Sequence, residues 1–239
     1  GSYGKTGNQE GIGIYASQAL ISGGNNYNSK SGIAISSAGN ENLKWETADQ
    51  YDIGFDLALF KGKINMIADI YLKNTSDLLF SKPVPTTSGF TSIISNIGSM
   101  QNKGIEFAIN GHFNLGGIKW TSSFNIAHNQ NKLTKLLNDE SILTYDSGIR
   151  AYQVGRDIGA WYLYNAIGIY QYDDEVPQTL YNQGVRAGDI KYEGAEDGII
   201  DSNDKRFFGS ANPKVSGGWN NTFTYNSFEL NIMLSYKYG

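Results

Sequence analysis

The sequence predicts an all-β chain: a partial transmembrane antiparallel up-and-down β-barrel with long loops at one end. Three observations carry this. Apolar and polar residues alternate over runs of about ten residues, short and long connections alternate along the chain, and aromatic residues crowd the ends of the runs. Period two marks a strand with one apolar and one polar face. Strands of soluble domains peak at about five or six residues, whereas a tilted strand crossing a bilayer needs roughly nine to eleven.

The clearest ribbon is Lys103–Asn129. Ile105, Phe107, Ile109, Gly111 and Phe113 share one side, against Glu106, Ala108, Asn110, His112 and Asn114. A Gly-bearing turn at Leu115–Gly117 follows, and the alternation resumes with Ile118, Trp120, Ser122, Phe124 and Ile126. Two such runs joined by a few residues make a hairpin. Both histidines, His112 and His128, read as polar strand residues rather than ligands.

From the N-terminus, Gly1–Thr6 reads as the end of a strand and Gly7–Asn42 as a Gly-, Ser- and Asn-rich loop with a short apolar patch at Ile12–Ile21. Trp45–Phe60 is a long strand with Tyr51, Ile53, Phe55, Leu57 and Leu59 on its apolar face. Lys61–Lys63 turns the chain into Ile64, Met66, Ala68, Ile70 and Leu72. Asn74–Asn102 has loop composition, broken by Pro83 and Pro85. After the central hairpin, residues 130–213 form a long insertion, expected to be extracellular. A last hairpin spans Val215–Tyr225 and Phe228–Lys237 around Asn226–Ser227.

Short turns at 61–63, 115–117 and 226–227 thus alternate with long connections at 7–42, 74–102 and 130–213. In an up-and-down sheet all short turns fall at one end and all long loops at the other, as in outer-membrane barrels. Phe60, Phe113, Trp120, Tyr225 and Phe228 lie near the short turns; Trp45, Tyr71, Tyr236 and Tyr238 lie near the long loops. Such bands suit the two lipid interfaces. The alternative is a soluble all-β sandwich, for instance an extracellular glycan-binding module, with these aromatics in its core. About seven strands do not close a barrel of even count, and an open edge in lipid leaves unpaired backbone groups. The expectation is that residues 1–239 are one segment of a larger barrel domain, with both ends continuing into further chain.

Composition is compatible with this. The 239 residues carry a net charge of −4 and have a pI near 5.2, which argues against nucleic-acid binding. No run of apolar residues is long enough for a transmembrane helix. The mean hydropathy of −0.37 is no obstacle, since only alternate residues of a barrel strand need to meet lipid. With no cysteine, a disulfide scaffold and a Cys-ligated metal are excluded. No basic and apolar leader opens the chain at Gly1–Tyr3.

The phrases SYGKTGN (Ser2–Asn8), NLKWETADQYDIGFD (Asn42–Asp56), IYLKNTSDLL (Ile70–Leu79), NIGSMQNKGIEF (Asn96–Phe107) and GDIKYEGAEDGIIDSNDKRFFGSANPKVSGGWNNTF (Gly188–Phe223) run almost the length of the chain. In this order they resemble the C-terminal barrel region of the SusC/RagA family of TonB-dependent outer-membrane transporters. The resemblance implies a barrel of about 22 strands around a plug domain, the plug being absent here. It also implies import of an oligosaccharide or peptide across the outer membrane of a Bacteroidetes-type bacterium. A SusD-like surface lipoprotein and TonB would be its partners.

Two stretches of the insertion invite chemistry. Glu193–Asp204, EGAEDGIIDSND, imitates a Ca²⁺ loop. Glu193, Asp197, Asp201 and Asp204 would supply carboxylates and Ile199 a carbonyl, around a turn at Gly198. Ala195 at the third place has no side-chain oxygen, and a turn held by Asp–backbone bonds is the competing reading. Trp161, Tyr162, Tyr164, Asn165 and Tyr170, with Gln171 and Tyr172, form the densest aromatic–polar cluster, suited to a substrate surface. Packing of the loop itself is the plainer reading. On the ribbons, Asp52, Asp56, Asn65, Asp69, Glu106, Asn110, Lys119 and Asn125 are expected to line the lumen. No catalytic arrangement is present, since neither histidine lies near a nucleophile turn, and no cofactor is required.

Overall fold

A computed structural model describes residues 1–10, 12–24, 26, 28–136 and 142–239. Its strands, in chain order, begin with β1 (Ser2–Asn8), β2 (Leu20–Gly23), β3 (Ile33–Ser37), β4 (Glu46–Leu59) and β5 (Ile64–Pro83). They continue with β6 (Ser92–Leu115), β7 (Ile118–Leu136), β8 (Leu143–Tyr145), β9 (Arg150–Tyr152) and β10 (Ala160–Tyr164). The last are β11 (Ala166–Ile169), β12 (Ile190–Tyr192), β13 (Lys205–Ser210), β14 (Val215–Tyr225) and β15 (Phe228–Tyr238). The chain divides into two units. One comprises Gly1–Ser141, Gln153–Asp157 and Pro213–Gly239, the other Ile142–Tyr152 and Ile158–Asn212.

The first unit is built on a seven-stranded antiparallel sheet in the order β1-β4-β5-β6-β7-β14-β15. Chain order is spatial order, as an up-and-down sheet requires. The turn between β6 and β7 has two residues, with Leu115 opposite Ile118. Gly116 and Gly117 both take positive φ, 57° and 93°, the combination that matches the twist of the flanking strands. Register follows from this turn, and each apolar run falls on one face.

Cross-sheet rows make the two faces explicit. Phe55, Ala68, Phe107, Ile126, Gly217 and Tyr236 stand in one row. Leu57, Met66, Ile109, Phe124, Trp219 and Leu234 stand in the next on the same side. The opposite face carries Gly54, Asp69, Glu106, Ala127, Ser216 and Lys237, and two rows on Ala58, Asn65, Asn110, Ser123, Asn220 and Met233. The apolar face is bare: Ile53 is 70% exposed, Phe55 61% and Ile105 53%. A sandwich would have covered these side chains.

Gly217 interrupts the first row for a steric reason. A Cβ there would collide with the ring of Tyr236 and the carbonyl oxygen of Asn125. The ring lies across the glycine, and Tyr236 Oη donates to that carbonyl at 3.1 Å. An aromatic ring laid over a strand glycine covers backbone otherwise left bare.

The strands outrun their alternating stretches. β5 has 20 residues, β6 24 and β7 19, so much of Asn74–Asn102 is ladder rather than loop. The insertion likewise begins beyond Leu136, not at 130. Hydrophobic alternation fades there because bulges at Thr75–Leu79 and Ser99–Met100 break the period of two, while backbone pairing continues. A bulge between Thr75 and Leu78, with Asp77 at φ 57°, bends β5 where β4 stops pairing. Asn96 locks the bend. Its Nδ2 donates to the carbonyls of Lys44 (2.8 Å) and Asp77 (2.7 Å), and its Oδ1 accepts the N–H of Lys44 (2.8 Å). Glu46 accepts the N–H of Leu79 and the amide of Asn8. The connection before β4 is not wholly loop either, since β2 and β3 pair within it.

The second unit holds a four-stranded sheet, β13-β10-β9-β8, and a ribbon of β11 with β12. Its core gathers Tyr170, Val176, Leu180 and Ala195, with Tyr181, Val185 and Tyr192 packed against them.

Candidate functional site

The polar face of the first unit is one candidate surface. Asn65 faces Asn110, and Asp69 faces Glu106 directly, a like-charged pair that costs stability when unscreened. Small residues at Ala108 and Ala127 leave a hollow of about 250 Å³ beside them, bordered by Ile67, Asp69, Glu106 and Asn125. Ser123 Oγ donates to Asn110 Oδ1, and the N–H of Gly218 donates to Asn125 Oδ1 at 2.9 Å. Asp52, Asp56 and Lys119 have the same parity in the register. Tyr71 also belongs to this face, opposite Asp52 and Gly104, so it is not part of an aromatic band on the apolar side.

The apolar face holds a polar latch that alternation alone does not reveal. Trp120 Nε1 of β7 donates to Asn221 Oδ1 of β14 at 3.0 Å, and Trp219 Nε1 of β14 donates to Ser122 Oγ of β7 at 2.9 Å. Ser122 and Asn221 are directly opposite each other, so the two bonds cross the pair reciprocally. Trp120 lies between Phe113, tilted against it at 4.9 Å, and Phe223, stacked on it at 5.9 Å. Asn221 is buried. The one sequence signal is a pair of polar residues, Ser122 and Asn221, at apolar parity.

In the second unit the expected aromatic cluster is split. Tyr162 is buried against Phe207 and donates to the carbonyl of Ser202 at 3.0 Å. Tyr170 is buried in the small core. Trp161 lies under the guanidinium of Arg150, 4.5 Å from its ring centre. Tyr164 packs on Tyr192 and lies near the ammonium of Lys205. Asn165 donates to Glu193 Oε2 at 2.7 Å. These contacts hold the fold of the unit together and do not set the five residues on one open surface.

The carboxylates of 193–204 are likewise in use. Asp197 accepts the N–H of Ile199 (2.9 Å), Asp201 accepts that of Asn203 (2.7 Å), and buried Asp204 accepts that of Asp201 (2.8 Å). Asp201 and Asp204 form a capping box around a short 3₁₀ turn. Glu193 accepts from Arg206 Nε at 3.2 Å. Among the described residues no three acidic or histidine side chains converge where an ion would sit. Of the residues expected in a Ca²⁺ loop, Glu193, Asp197, Asp201 and Asp204 accept from neighbouring donors, chiefly backbone amides, and Ala195 contributes no oxygen. Asp204→Ala should loosen this turn at a cost of about 1 kcal/mol, read as earlier proteolytic cleavage within 193–206.

Electrostatics agree with this account. Hydrogen bonding from Asn165, followed by Arg206, holds the Glu193 carboxyl below the usual carboxylate range. Burial, with Tyr145 stacked at 4.2 Å, pushes Tyr152 up to about 12. An unfolded tyrosine ionises near 10. Its folded pKa is raised, so the contribution is complete below pH 10 and lost as pH climbs to about 12. Ultraviolet titration of the phenolates should lose one late-ionising component on Tyr152→Phe.

A bilayer-length antiparallel wall with one bare apolar face and one polar face defines a β-barrel membrane protein. The comparisons give its family. The model of the TonB dependent receptor-like β-barrel matches residues 1–239, and the chain belongs to that family. It is 32% identical to TonB-dependent receptor P39 of Formosa agariphila, over 100% of this chain and 26% of that protein. It is 31% identical to TonB-dependent receptor SusC of Bacteroides thetaiotaomicron, over 82% of this chain and 20% of SusC. Among solved structures, that of the RagAB peptide transporter superposes with a TM-score of 0.83 at 25% identity, covering 98% of this chain and 26% of that one. The resemblance to SusC and RagA seen in the sequence thus holds along the chain, which spans about a fifth to a quarter of the length of these relatives.

Proposed function

We propose that this chain is part of the barrel wall of an outer-membrane importer that draws on TonB and takes up a nutrient, an oligosaccharide or a peptide. The single observation behind this is the register-coherent apolar face left exposed on strands long enough to cross a bilayer. Acyl chains would cover that face, and the opposite face would line an aqueous lumen. The part of residues 130–213 that follows β7 would be an extracellular insertion. A SusD-like lipoprotein would cap the entrance. The relatives are named as receptors and transporters, which favours transport over catalysis. The RagAB structure is that of a peptide transporter, and this favours the peptide arm.

The test uses the whole receptor in its own bacterium. It should fractionate with the outer membrane and show heat-modified gel mobility. Uptake of labelled peptide or oligosaccharide should fall to background when either the receptor or TonB is removed. A receptor released without detergent, or uptake indifferent to TonB, overturns the reading.

A further inference from the structure

The apolar face ends differently at its two rims. Near the short turns its aromatic row is Phe113, Trp120 and Phe223, followed only by Leu115, Ile118, Tyr225 and Phe228, without charge. Near the long loops the row of Ile53, Ile70, Ile105 and His128 gives way to Tyr51, Leu72, Lys103 and Gln130, and then to Asp49, Asn74, Gln101 and Lys132; the His128 ring is held by the carbonyl of Lys214 at 2.8 Å. Gln101 Nε2 donates to Asn74 Oδ1 at 2.9 Å. Asp49 is already engaged by Lys5 at 3.8 Å and by the hydroxyl of Tyr3. Lys103 and Lys132 are exposed and make no ion pair with a described residue. They are diagonal neighbours on adjacent strands, a placement that sets side chains about 7–8 Å apart.

Height decides what these lysines meet. From Phe113 to Lys103 the strand advances about 33 Å, or about 25 Å of height at a tilt of about 40°. That is about the thickness of an outer-membrane apolar band, so both ammonium groups emerge at headgroup level. We propose that Lys103 and Lys132 form a docking site for the phosphate of a lipid headgroup in the leaflet on the long-loop side. The inference rests on the membrane reading above. Charge complementarity and continuity with the apolar face select the ligand: acyl chains lie on Ile105 and Ile70 while the phosphate sits between the two ammonium groups. Gln130, opposite Lys103, adds an amide donor at the same height.

The test is native mass spectrometry of the whole detergent-purified receptor with diphosphorylated lipid A, and with the same lipid after phosphatase treatment. The phosphorylated lipid should bind more tightly. Lys103→Gln with Lys132→Gln should weaken it by roughly tenfold. Lys73→Gln, on the polar face, should leave binding unchanged. Equal binding of the two lipids by the wild type overturns the proposal even if the double variant fails to fold. Equal binding by a folded double variant overturns it as well. Inorganic phosphate binding as tightly as the lipid overturns the assignment to a headgroup. Release of the wild type without detergent would instead sink the membrane reading itself.

Discussion

Phe107→Arg in the intact receptor should sharply reduce the folded, heat-modifiable fraction, while Glu106→Arg one residue away should not. Phe107 sits mid-row on the apolar face between Ala68 and Ile126. An arginine there would hold a guanidinium near the middle of the acyl layer, at a cost of about 2–4 kcal/mol. Glu106 points to the polar face, where it opposes Asp69. A cation there replaces a like-charged pair with an attractive one and meets water. Period two makes the contrast decisive, since adjacent residues occupy different solvents. The measurement is gel mobility of unboiled against boiled samples from outer membranes. Equal loss in both variants would mean that the two faces are not in different media.

The second large effect is expected at the latch between β7 and β14. Asn221→Leu removes the acceptor of Trp120 Nε1–H, 3.0 Å away. An indole N–H is a donor only, and left unpaired in an apolar setting it costs about 1–3 kcal/mol. Trp120→Phe in the same chain should restore part of that loss, because no donor is then stranded. A double-mutant cycle on chemical denaturation of the receptor isolates the pair. Additive effects, with no recovery in the double variant, would reduce the contact to simple packing. The latch matters because a whole inserted unit, not a tight turn, connects these two strands. A hairpin turn sets register for its neighbours; here side chains have to do it.

Much of the wall was legible in the residues. Ile105, Phe107 and Ile109 against Glu106, Ala108 and Asn110 announce a strand, because a pleated backbone throws successive side chains to opposite sides. Gly116-Gly117 announces its turn. The family phrases in order announced the relatives. Legibility failed where bulges break the strand's period of two. Asn74–Asn102 shows no alternation, yet most of it is ladder, held by backbone bonds that carry no side-chain signature. It failed again in the second unit, where an exposed sugar platform and a buried tyrosine core have the same composition. Tyr162 and Tyr170 were decided by what packs on them, Phe207 in one case and Val176 with Leu180 in the other.

By itself, then, the order of residues determined which side of each ribbon is greasy and where the short turns fall. Both are local consequences of pleat geometry and positive φ. Only the folded chain decided the pairing of β7 with β14, the use of Asp201 and Asp204 in a capping box, and the gathering of Lys103 and Lys132 at one rim. Those outcomes depend on contacts between residues far apart in the chain, and such contacts exist only once every strand has found its register.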